Sequence, residues 1–336
     1  MSETEEESRK DDFCFEKNAT ESLISHTLDK WYQAKHPAFS PSEIYLVNTL
    51  KPETCPYCGS EKIIRKGFQK STGFRRWKCN SCGRRFSPLT GTIFDSRKIP
   101  ISEWIEYLLH LFEYHSVSSA ARDNRNAEST GFYWLQKVFL VLKDYQDDIV
   151  LKGDVYIDET YVSVWQSRKI RKNGKQLRGL SKNQCCVCTG TELQKSFFIL
   201  CGKGNPSSKK VWKAYSPHIE KGSTIIHDGD PSHNILIEKL SLKSEVHPSN
   251  ESKNRQGNSD PLDRINRLHG SLKKFLRIHD GFDTDYLQDW LNLFCFIRNE
   301  GYDDTDRLMA FFRRALKTRR VLRYSTWADP EKDDVH

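Results

Sequence analysis

The chain has 336 residues, about twice the usual size of a single domain, so it is expected to form two or more folded units. Hydrophobic residues make up 37% of it, yet no apolar run reaches the roughly 18 residues of a membrane helix, which excludes a helical membrane protein. The acidic start, MSETEEESRKDDF, has the pattern of neither a signal peptide nor a transit peptide, and we expect a cytoplasmic, nucleoid-associated protein.

The net charge of +8 is concentrated in two segments of the chain. Lys62–Lys98 contains eleven Lys or Arg and one acid, Asp95, while Arg168–Lys182 contains seven Lys or Arg and no acid. Each phosphate that such a segment neutralises releases counterions, so this pattern favours a polyanionic partner. A solvated surface loop is the alternative for either segment alone, but the two together predict binding to nucleic acid.

Residues 1–20 are predicted to be a disordered acidic lead, and residues 21–50 a helical lead-in with a helix around Ser22–Tyr32. Residues 51–90 then contain two CxxC pairs, which predict a zinc ribbon. The spacing is C-x2-C-x20-C-x2-C, and the predicted ligands are Cys55, Cys58, Cys79 and Cys82. Two such turns close a tetrahedral zinc site, and metal binding is expected to supply the folding free energy of so small a unit. Redox chemistry is the alternative use of these thiols.

The basic, aromatic hairpin between the two pairs is predicted to contact DNA, although purely structural ribbons are common. Its candidate DNA-binding residues are Arg75, Arg76, Lys78, Arg84 and Arg85. The remaining cysteines show weaker patterns. We expect buried free thiols at Cys185, Cys186 and Cys188 on a predicted strand, and find no partner pattern for Cys14, Cys201 and Cys295.

Residues 91–150 are predicted to form a helical, helix-turn-helix-like DNA-binding region. The apolar spacing from Trp104 to Phe112 indicates one helix that begins near Pro100. A short helix at Ser118–Asp123, a turn, and a long helix from Ser129 to Tyr145 follow. An ordinary helical linker is the alternative interpretation.

Residues 151–302 have the pattern of an α/β domain, since strands come first and then alternate with helices. Strands are predicted at Asp154–Asp158, Gln184–Thr191, Ser196–Cys201 and Ser223–Asp228, and helices at Pro231–Leu240, Asp263–Leu276 and Tyr286–Asn299. Residues 303–336 are predicted to be a basic helical C-terminal tail.

Two aspartates, Asp158 and Asp228, are each expected at the end of an apolar strand. Carboxylates at the ends of neighbouring strands can converge and bridge divalent metals for in-line phosphoryl transfer, whereas a lone Asp there is usually a helix cap. A third ligand is less obvious. Asn292 interrupts an apolar helix and must be hydrogen-bonded or chemically active, while Asp289 and Glu300 are the carboxylate alternatives.

Taken together, these motifs resemble the transposases of the insertion sequence 1595 family, from about Ile44 to Asn299. The segments that carry the resemblance are CPYCGSEKIIRKG, RRWKCNSCGRRFSPLTGTIF, VYIDETYV, IIHDGDPSH, NRLHGSLKKFLR and YLQDWLNLFCFIRN. The resemblance implies an RNase H-like DDE-type catalytic domain with Mg²⁺ or Mn²⁺, acting on double-stranded DNA at the element ends and the target. It also implies a homo-oligomer assembled on the paired ends.

Carried over residue by residue, the resemblance gives Asp158 and Asp228 the two Asp roles and puts Asn292 where many DDE enzymes have Glu. Because an amide oxygen carries no charge, it implies weaker metal binding there. His269 is a candidate contact to phosphate or metal, with a purely structural role as the alternative. Lys273 and Lys274, on the same predicted helix, are candidate DNA-backbone contacts, and Glu159 is expected to point away from Asp158.

The pattern therefore predicts an α/β protein, and the resemblance implies an RNase H-like mixed-sheet domain preceded by a zinc ribbon and a helical region. Its predicted function is that of an insertion-sequence transposase that cleaves and transfers DNA strands. A catalytically degenerate zinc-ribbon DNA-binding regulator derived from such a transposase is the alternative. A structure-specific nuclease of similar fold, cutting branched DNA without end sequences, is a further rival.

Overall fold

The computed structural model describes residues 40–95, 99–163, 184–248, 260–279 and 282–328, together with the backbone of residues 171–172 and 175–176. The predicted helix around Ser22–Tyr32, Cys14, and the side chains of the basic run that begins at Arg168 lie outside these residues. Within the described ranges, none of the helices combines the length and apolar character needed to cross a membrane.

The first described part is a helix beside a small antiparallel sheet. Its elements, with strand order β1-β2-β3, are α1 (Pro41–Thr49), β1 (Ile63–Phe68), β2 (Arg75–Cys79) and β3 (Arg85–Phe86). Asn48 joins them, because its side chain donates to the Gly73 carbonyl and accepts from the Arg75 N–H. The sheet has only a small buried cluster of its own, comprising Cys55, Trp77, Cys79 and Phe86.

Three helices follow, α2 (Ile101–Phe112), α3 (Val117–Asp123) and α4 (Glu128–Leu142), and they agree with the predicted helix, short helix, turn and long helix. The Ser116 hydroxyl accepts the Ser119 N–H and thereby caps α3. Helices α3 and α4 approach so closely that a Cβ at Gly131 would lie 2.6 Å from the Cβ of Ala121. This contact explains a glycine inside a helix, where it otherwise costs stability.

A five-stranded mixed sheet forms the centre of the C-terminal part. Its strands are β4 (Asp154–Val162), β7 (Cys185–Thr191), β8 (Ser196–Lys203), β9 (Thr224–His227) and β10 (Lys243–Val246). The order is β10-β9-β4-β7-β8; β4, β7 and β8 are antiparallel, while β9 runs parallel to β4, and β10 to β9. A three-stranded meander extended by two parallel strands is the RNase H-like arrangement, and the predicted fold class is confirmed. Two two-residue strands, β5 (Arg171–Lys172) and β6 (Lys175–Gln176), pair outside this sheet.

Helices cover both faces of the sheet. They are α5 (Ser208–Tyr215), α6 (Asn234–Leu240), α7 (Asp263–Ile278), α8 (Leu287–Asn299), α9 (Asp304–Lys317) and α10 (Tyr324–Ala328), with 3-10 turns at Pro231–His233 and Thr284–Tyr286. Neighbouring residues of β8 show the two layers, since Phe197 packs on Tyr215 of α5 and Phe198 packs on Phe294 of α8. On the α5 face, Gly190 of β7 leaves room for the ring of Phe197 on the neighbouring strand β8. A Cβ at Gly190 would lie 2.4 Å from that ring.

Candidate active site and cysteine-rich ribbon

The pairing of β4 with β9 brings the two predicted aspartates together. Asp154 pairs with Thr224 and Tyr156 with Ile226, so residues 70 apart share a level of the sheet. Asp158 and Asp228 each lie two residues beyond this last pair, and the charge of Asp228 reaches Asp158. The Asp228 carboxylate also lies within 4.8 Å of ring nitrogens of His227 and His233.

Asp158 lies inside a strand rather than at its end, which corrects the prediction. Strand β4 continues to Val162 because its second half still pairs with β7, where Asp158 is opposite Thr189. Strand β9 ends at His227, so Asp228 follows its strand as predicted. The sheet thus opens between β4 and β9 at the level of the two carboxylates.

The side chain of Asp158 points toward α7 and is mostly enclosed. Its Oδ2 lies 3.6 Å from Nδ1 of His269, and its Oδ1 accepts the backbone N–H of Glu159 at 2.9 Å. Burial, and then the negative charges of Glu159 and Asp228, raise the pKa of Asp158 to about 7. The two aspartates are therefore close enough to interact electrostatically, with too little positive charge around Asp158 to stabilise its ionised form.

Helix α7 supplies the opposite wall of the opening. Asn266, His269 and Lys273 follow one another at spacings of three and four, so they share one helix face. These three residues and Asp158 line a cleft of about 770 Å³. Asn266 was not predicted as a site residue, although it begins the segment NRLHGSLKKFLR. Its spacing from His269 and Lys273 indicates one polar helix face and could have identified it.

His269 is buried, with 6% of its surface exposed, and its Nε2 has no hydrogen-bond partner among the described residues. Burial, with a smaller effect from the Lys273 charge, lowers the pKa of His269 to about 4. The imidazole is thus neutral near pH 7, the form in which histidine can coordinate a metal.

Asn292, predicted as the third metal ligand, has a different environment in the structure. It is 3% exposed; its Oδ1 accepts from Gln146 at 2.7 Å and Gln288 at 3.0 Å, and its Nδ2 donates to the Lys143 carbonyl at 3.1 Å. The bonds with Gln146 and Lys143 join α8 to the segment after α4, and Gln288 lies on α8 itself. Both acceptor positions of the amide oxygen are occupied. Neither Asn292 nor Asp228 is among the residues that line the cleft, but the charge of Asp228 acts on Asp158, whereas the Asn292 amide is taken up by bonds between helices. This geometry gives the proposed metal role of Asn292 no support.

The two alternatives to Asn292 do not line the cleft either. Glu300 accepts the hydroxyl of Tyr145 at 2.8 Å. Burial raises the pKa of Asp289, against a smaller opposing effect of Lys143. The sequence placed all three residues on α8 or at its end, whereas the helix that faces Asp158 is α7.

Glu159 points to the opposite face of the sheet from Asp158, as expected. Its Oε1 accepts the Tyr215 hydroxyl at 2.9 Å and lies 3.2 Å from Nε2 of His233, whose Nδ1 is 2.9 Å from Nδ1 of His227. Although burial opposes it, the hydrogen bond and charge of Glu159 raise the pKa of His233. Because His227 and His233 flank Asp228, this network fixes the loop of Asp228 to the strand of Asp158.

The four ribbon cysteines converge with the geometry of a tetrahedral metal site. The Sγ atoms of Cys55 and Cys82 are 3.7 Å apart, those of Cys58 and Cys79 are 3.6 Å apart, and all four lie within 4.8 Å of one another. Sulfur atoms about 2.3 Å from a central zinc ion would be separated by roughly 3.8 Å. Gly59, with a φ of 70°, provides the left-handed residue that lets its turn close behind Cys58.

The basic residues of the ribbon lie on two surfaces. Arg75, Arg76 and Arg85 line a cleft of about 620 Å³ between the ribbon and the segment that precedes α2. Arg84 instead lies over the ring of Tyr57, 5.0 Å from its centroid. Arg85 is exposed and Arg75 and Arg76 are half-buried, and guanidinium groups in a concave surface are suited to a phosphate backbone.

Comparison with known proteins agrees with this architecture. Residues 150–299 match the ISXO2-like transposase domain, the span that includes the whole mixed sheet and both aspartates. The uncharacterized protein of transposable element ISH50 from Halobacterium salinarum is 25% identical over 258 residues, covering 71% of this chain and 83% of that protein. The uncharacterized 48.3 kDa protein of insertion element ISM1 from Methanobrevibacter smithii is 27% identical over 230 residues, covering 54% of this chain and 56% of that protein.

Among solved structures, the catalytic domain of the Mos1 mariner transposase is 13% identical, with a TM-score of 0.31, covering 55% of this chain and 87% of that one. The fold assignment therefore comes from the strand order. The ISXO2-like domain, with its paired aspartates, defines the class as an insertion-sequence transposase. Within that class, residues 150–299 resemble the insertion sequence 1595 family.

Proposed function

We propose that this protein cleaves and joins DNA strands at the ends of an insertion sequence, using divalent cations held by Asp158 and Asp228. The observation that carries the proposal is the parallel pairing of β4 with β9, which ends two residues before each aspartate and brings the charge of Asp228 within reach of Asp158. The cleft is lined on its other side by polar residues of α7, so a DNA strand could reach the Asp158 carboxylate from solvent.

The donor set around Asp158 fits Mg²⁺ or Mn²⁺. Two carboxylates supply hard oxygen ligands, and Nδ1 of His269, 3.6 Å from Oδ2 of Asp158, adds a neutral nitrogen beside them. Burial and neighbouring acids disfavour the ionised form of Asp158, and a bound cation would reverse that effect. When bound, the cations would activate a water or a DNA 3′-hydroxyl and stabilise the departing oxygen.

We further propose that α7, rather than Asn292, completes the site. Asn266 and His269 lie on the face of α7 that lines the cleft, and His269 already lies beside the Asp158 carboxylate. Lys273 is exposed one turn farther along and would bind a phosphate of the DNA strand. No covalent protein–DNA intermediate is needed.

In this proposal the ribbon binds zinc and contributes to DNA binding. Its four converging thiols support a structural Zn²⁺, and the cleft lined by Arg75, Arg76 and Arg85 supports contact with the DNA backbone. The family further implies several copies assembled on paired element ends, which sedimentation with and without end DNA would test.

The proposal predicts that Asp158→Asn and Asp228→Asn abolish Mg²⁺- or Mn²⁺-dependent nicking of the element's terminal repeats while leaving DNA binding intact. The measurement is a strand-cleavage assay paired with a gel-shift assay on the same DNA. Asp154→Asn is the matched control, because Asp154 is an exposed acid at the start of the same strand and should retain activity. Undiminished nicking by either variant would contradict the assignment, and a wild-type protein that binds the ends without cutting them would indicate the DNA-binding regulator instead.

A further inference from the structure

Three cysteines that the proposed reaction does not use converge on the face of the sheet opposite Asp158. Cys186 and Cys188 alternate onto one face of β7, and Cys201 joins them from β8. The three Sγ atoms lie within 4.8 Å of one another. Cys186 and Cys188 are buried and Cys201 is half-buried, so the cluster has one side open to solvent.

A β-bulge places Cys201 in this cluster. Cys186 pairs with Gly202, whereas Val187 pairs with Leu200, which makes Cys201 the extra residue of β8. Gly202 has a φ of 118°, a backbone conformation that other residues rarely adopt. Bulges redirect side chains and are treated as selected features of a sheet rather than defects.

A carboxylate and an ammonium group accompany the three thiols. Glu159 is opposite Cys188 in the β4–β7 pair, and its Oε1 is 4.0 Å from Cys188 Sγ. On the other side, the Nζ of Lys210 lies 3.1 Å from where a Cβ on Gly202 would be. Metals bind the thiolate form of cysteine, which a nearby positive charge favours.

We propose that Cys186, Cys188 and Cys201, with Glu159 as a fourth ligand, bind a second zinc ion distinct from that of the ribbon. Thiolates select soft or borderline metals, and three sulfurs with one carboxylate satisfy the tetrahedral coordination of zinc. The contacts of Glu159 with Tyr215, His233 and Cys188 all involve Oε1, which leaves Oε2 to turn toward the thiolates. Lys210 offsets part of the negative charge of the ligands.

Zinc at this position would link β4, β7 and β8, the antiparallel half of the sheet. Glu159 immediately follows Asp158, so the ion would fix the strand that carries the first catalytic aspartate from the face opposite the cleft. This role is structural and does not depend on the proposed DNA chemistry, so the site can be tested without an activity assay.

The test is the zinc content of the full-length chain, purified from zinc-supplemented cells, desalted, and measured by mass spectrometry of the metal. We expect about two zinc ions per wild-type chain, about one in Cys201→Ser or Cys188→Ala, and about one in Cys58→Ala, which removes a ribbon ligand. Cys185→Ala is the matched control, since Cys185 is a buried thiol beside Cys186 that is outside the cluster, and it should retain about two.

Cys201→Ser keeps a small polar side chain at a half-buried bulge, so its fold should survive, which circular dichroism and gel filtration check. One zinc per wild-type chain, lost entirely in Cys58→Ala, would overturn the proposal. So would a Cys201→Ser chain that retains the wild-type zinc content, or a mass showing that two of the three cysteines form a disulfide without bound metal.

Discussion

Asn292 and His269 are both buried polar side chains beside the sheet, but they differ in hydrogen bonding. The amide of Asn292 donates one and accepts two, from partners that hold α4 and α8 together. The Nε2 of His269 makes none among the described residues, although it is equally enclosed. A satisfied buried amide stabilises the fold, whereas an unpartnered imidazole next to a carboxylate is available for a ligand.

This difference predicts opposite effects of substitution. Asn292→Ala leaves Gln146, Gln288 and the Lys143 carbonyl with fewer partners and should lower the free energy of unfolding by about 2–4 kcal/mol, with cleavage per folded molecule retained. His269→Ala should change stability little but reduce cleavage by about 100-fold or more, beyond the roughly 10- to 100-fold typical of residues that only support a ligand. Urea unfolding and Mn²⁺-dependent nicking measure the two effects. The reverse result, an inactive but stable Asn292→Ala chain, would restore Asn292 as a ligand.

His279 makes the free energy of unfolding depend on pH. Its ring stacks on Trp290 at 4.2 Å, and neither ring nitrogen has a hydrogen-bond partner among the described residues. Burial lowers the pKa of His279 to about 4 from an ordinary value of 6.5, so the folded protein disfavours the charged ring. The associated stability is complete above about pH 6.5 and is lost as the pH falls toward 4, amounting to at most about 3 kcal/mol.

Replacing His279 with Phe should therefore flatten the fall in unfolding free energy between about pH 6.5 and pH 4. Part of the slope should remain, because burial also lowers the pKa of His218. Phe282→Leu, which changes the packing on the same Trp290 ring without a titrating group, is the control and should leave the slope unchanged. Identical pH profiles for His279→Phe and the wild type would show that this ring is protonated in the folded protein.

At the level of elements, pattern predicted what local sequence determines. Residue spacing alone predicted the paired CxxC turns, the helix at Ser118–Asp123 with the long helix after it, and the apolar strands. The residues facing Asp158 could not be predicted from local spacing. Asn292 is polar within the apolar α8, which suggested a ligand, but tertiary packing places α7 opposite Asp158. The length of β4 was missed for a similar reason: pairing with β7, which no local pattern encodes, extends it past Asp158.

The ribbon should be the element that depends most on metal. Its own buried cluster is small, so without zinc the strands have little to hold them together. We predict that Cys82→Ser makes the amides of β1 and β2 exchange with solvent far faster, while those of β4 and β7 keep their protection. Hydrogen exchange read by mass spectrometry measures both regions in one sample, which supplies an internal control. Unchanged protection of β1 and β2 would mean that the ribbon folds without its metal.

Across the whole molecule, one hydrophobic core includes Phe74 beside the ribbon, the helices α2 and α4, and the mixed sheet. The basic C-terminal region is tied into this body. Arg314 and Arg320 form ion pairs with Asp144, and Arg319 donates to the Thr90 carbonyl. Positive charge near α9 thus holds the fold together, whereas Arg75, Arg76 and Arg85 line the ribbon cleft.

The salt dependence of DNA binding should distinguish these two uses of positive charge. If Arg76 contacts a phosphate, Arg76→Gln should reduce the slope of log affinity against log salt concentration by about 0.9, and adding Arg85→Gln should reduce it again by a similar amount. Lys221→Gln is the control, since Lys221 is exposed before β9, at the end of that strand away from Asp228. Fluorescence anisotropy on terminal-repeat DNA at several salt concentrations gives the slopes. Equal slopes for Arg76→Gln and Lys221→Gln would show that DNA does not enter the ribbon cleft, and that the arginines lining it serve the protein alone.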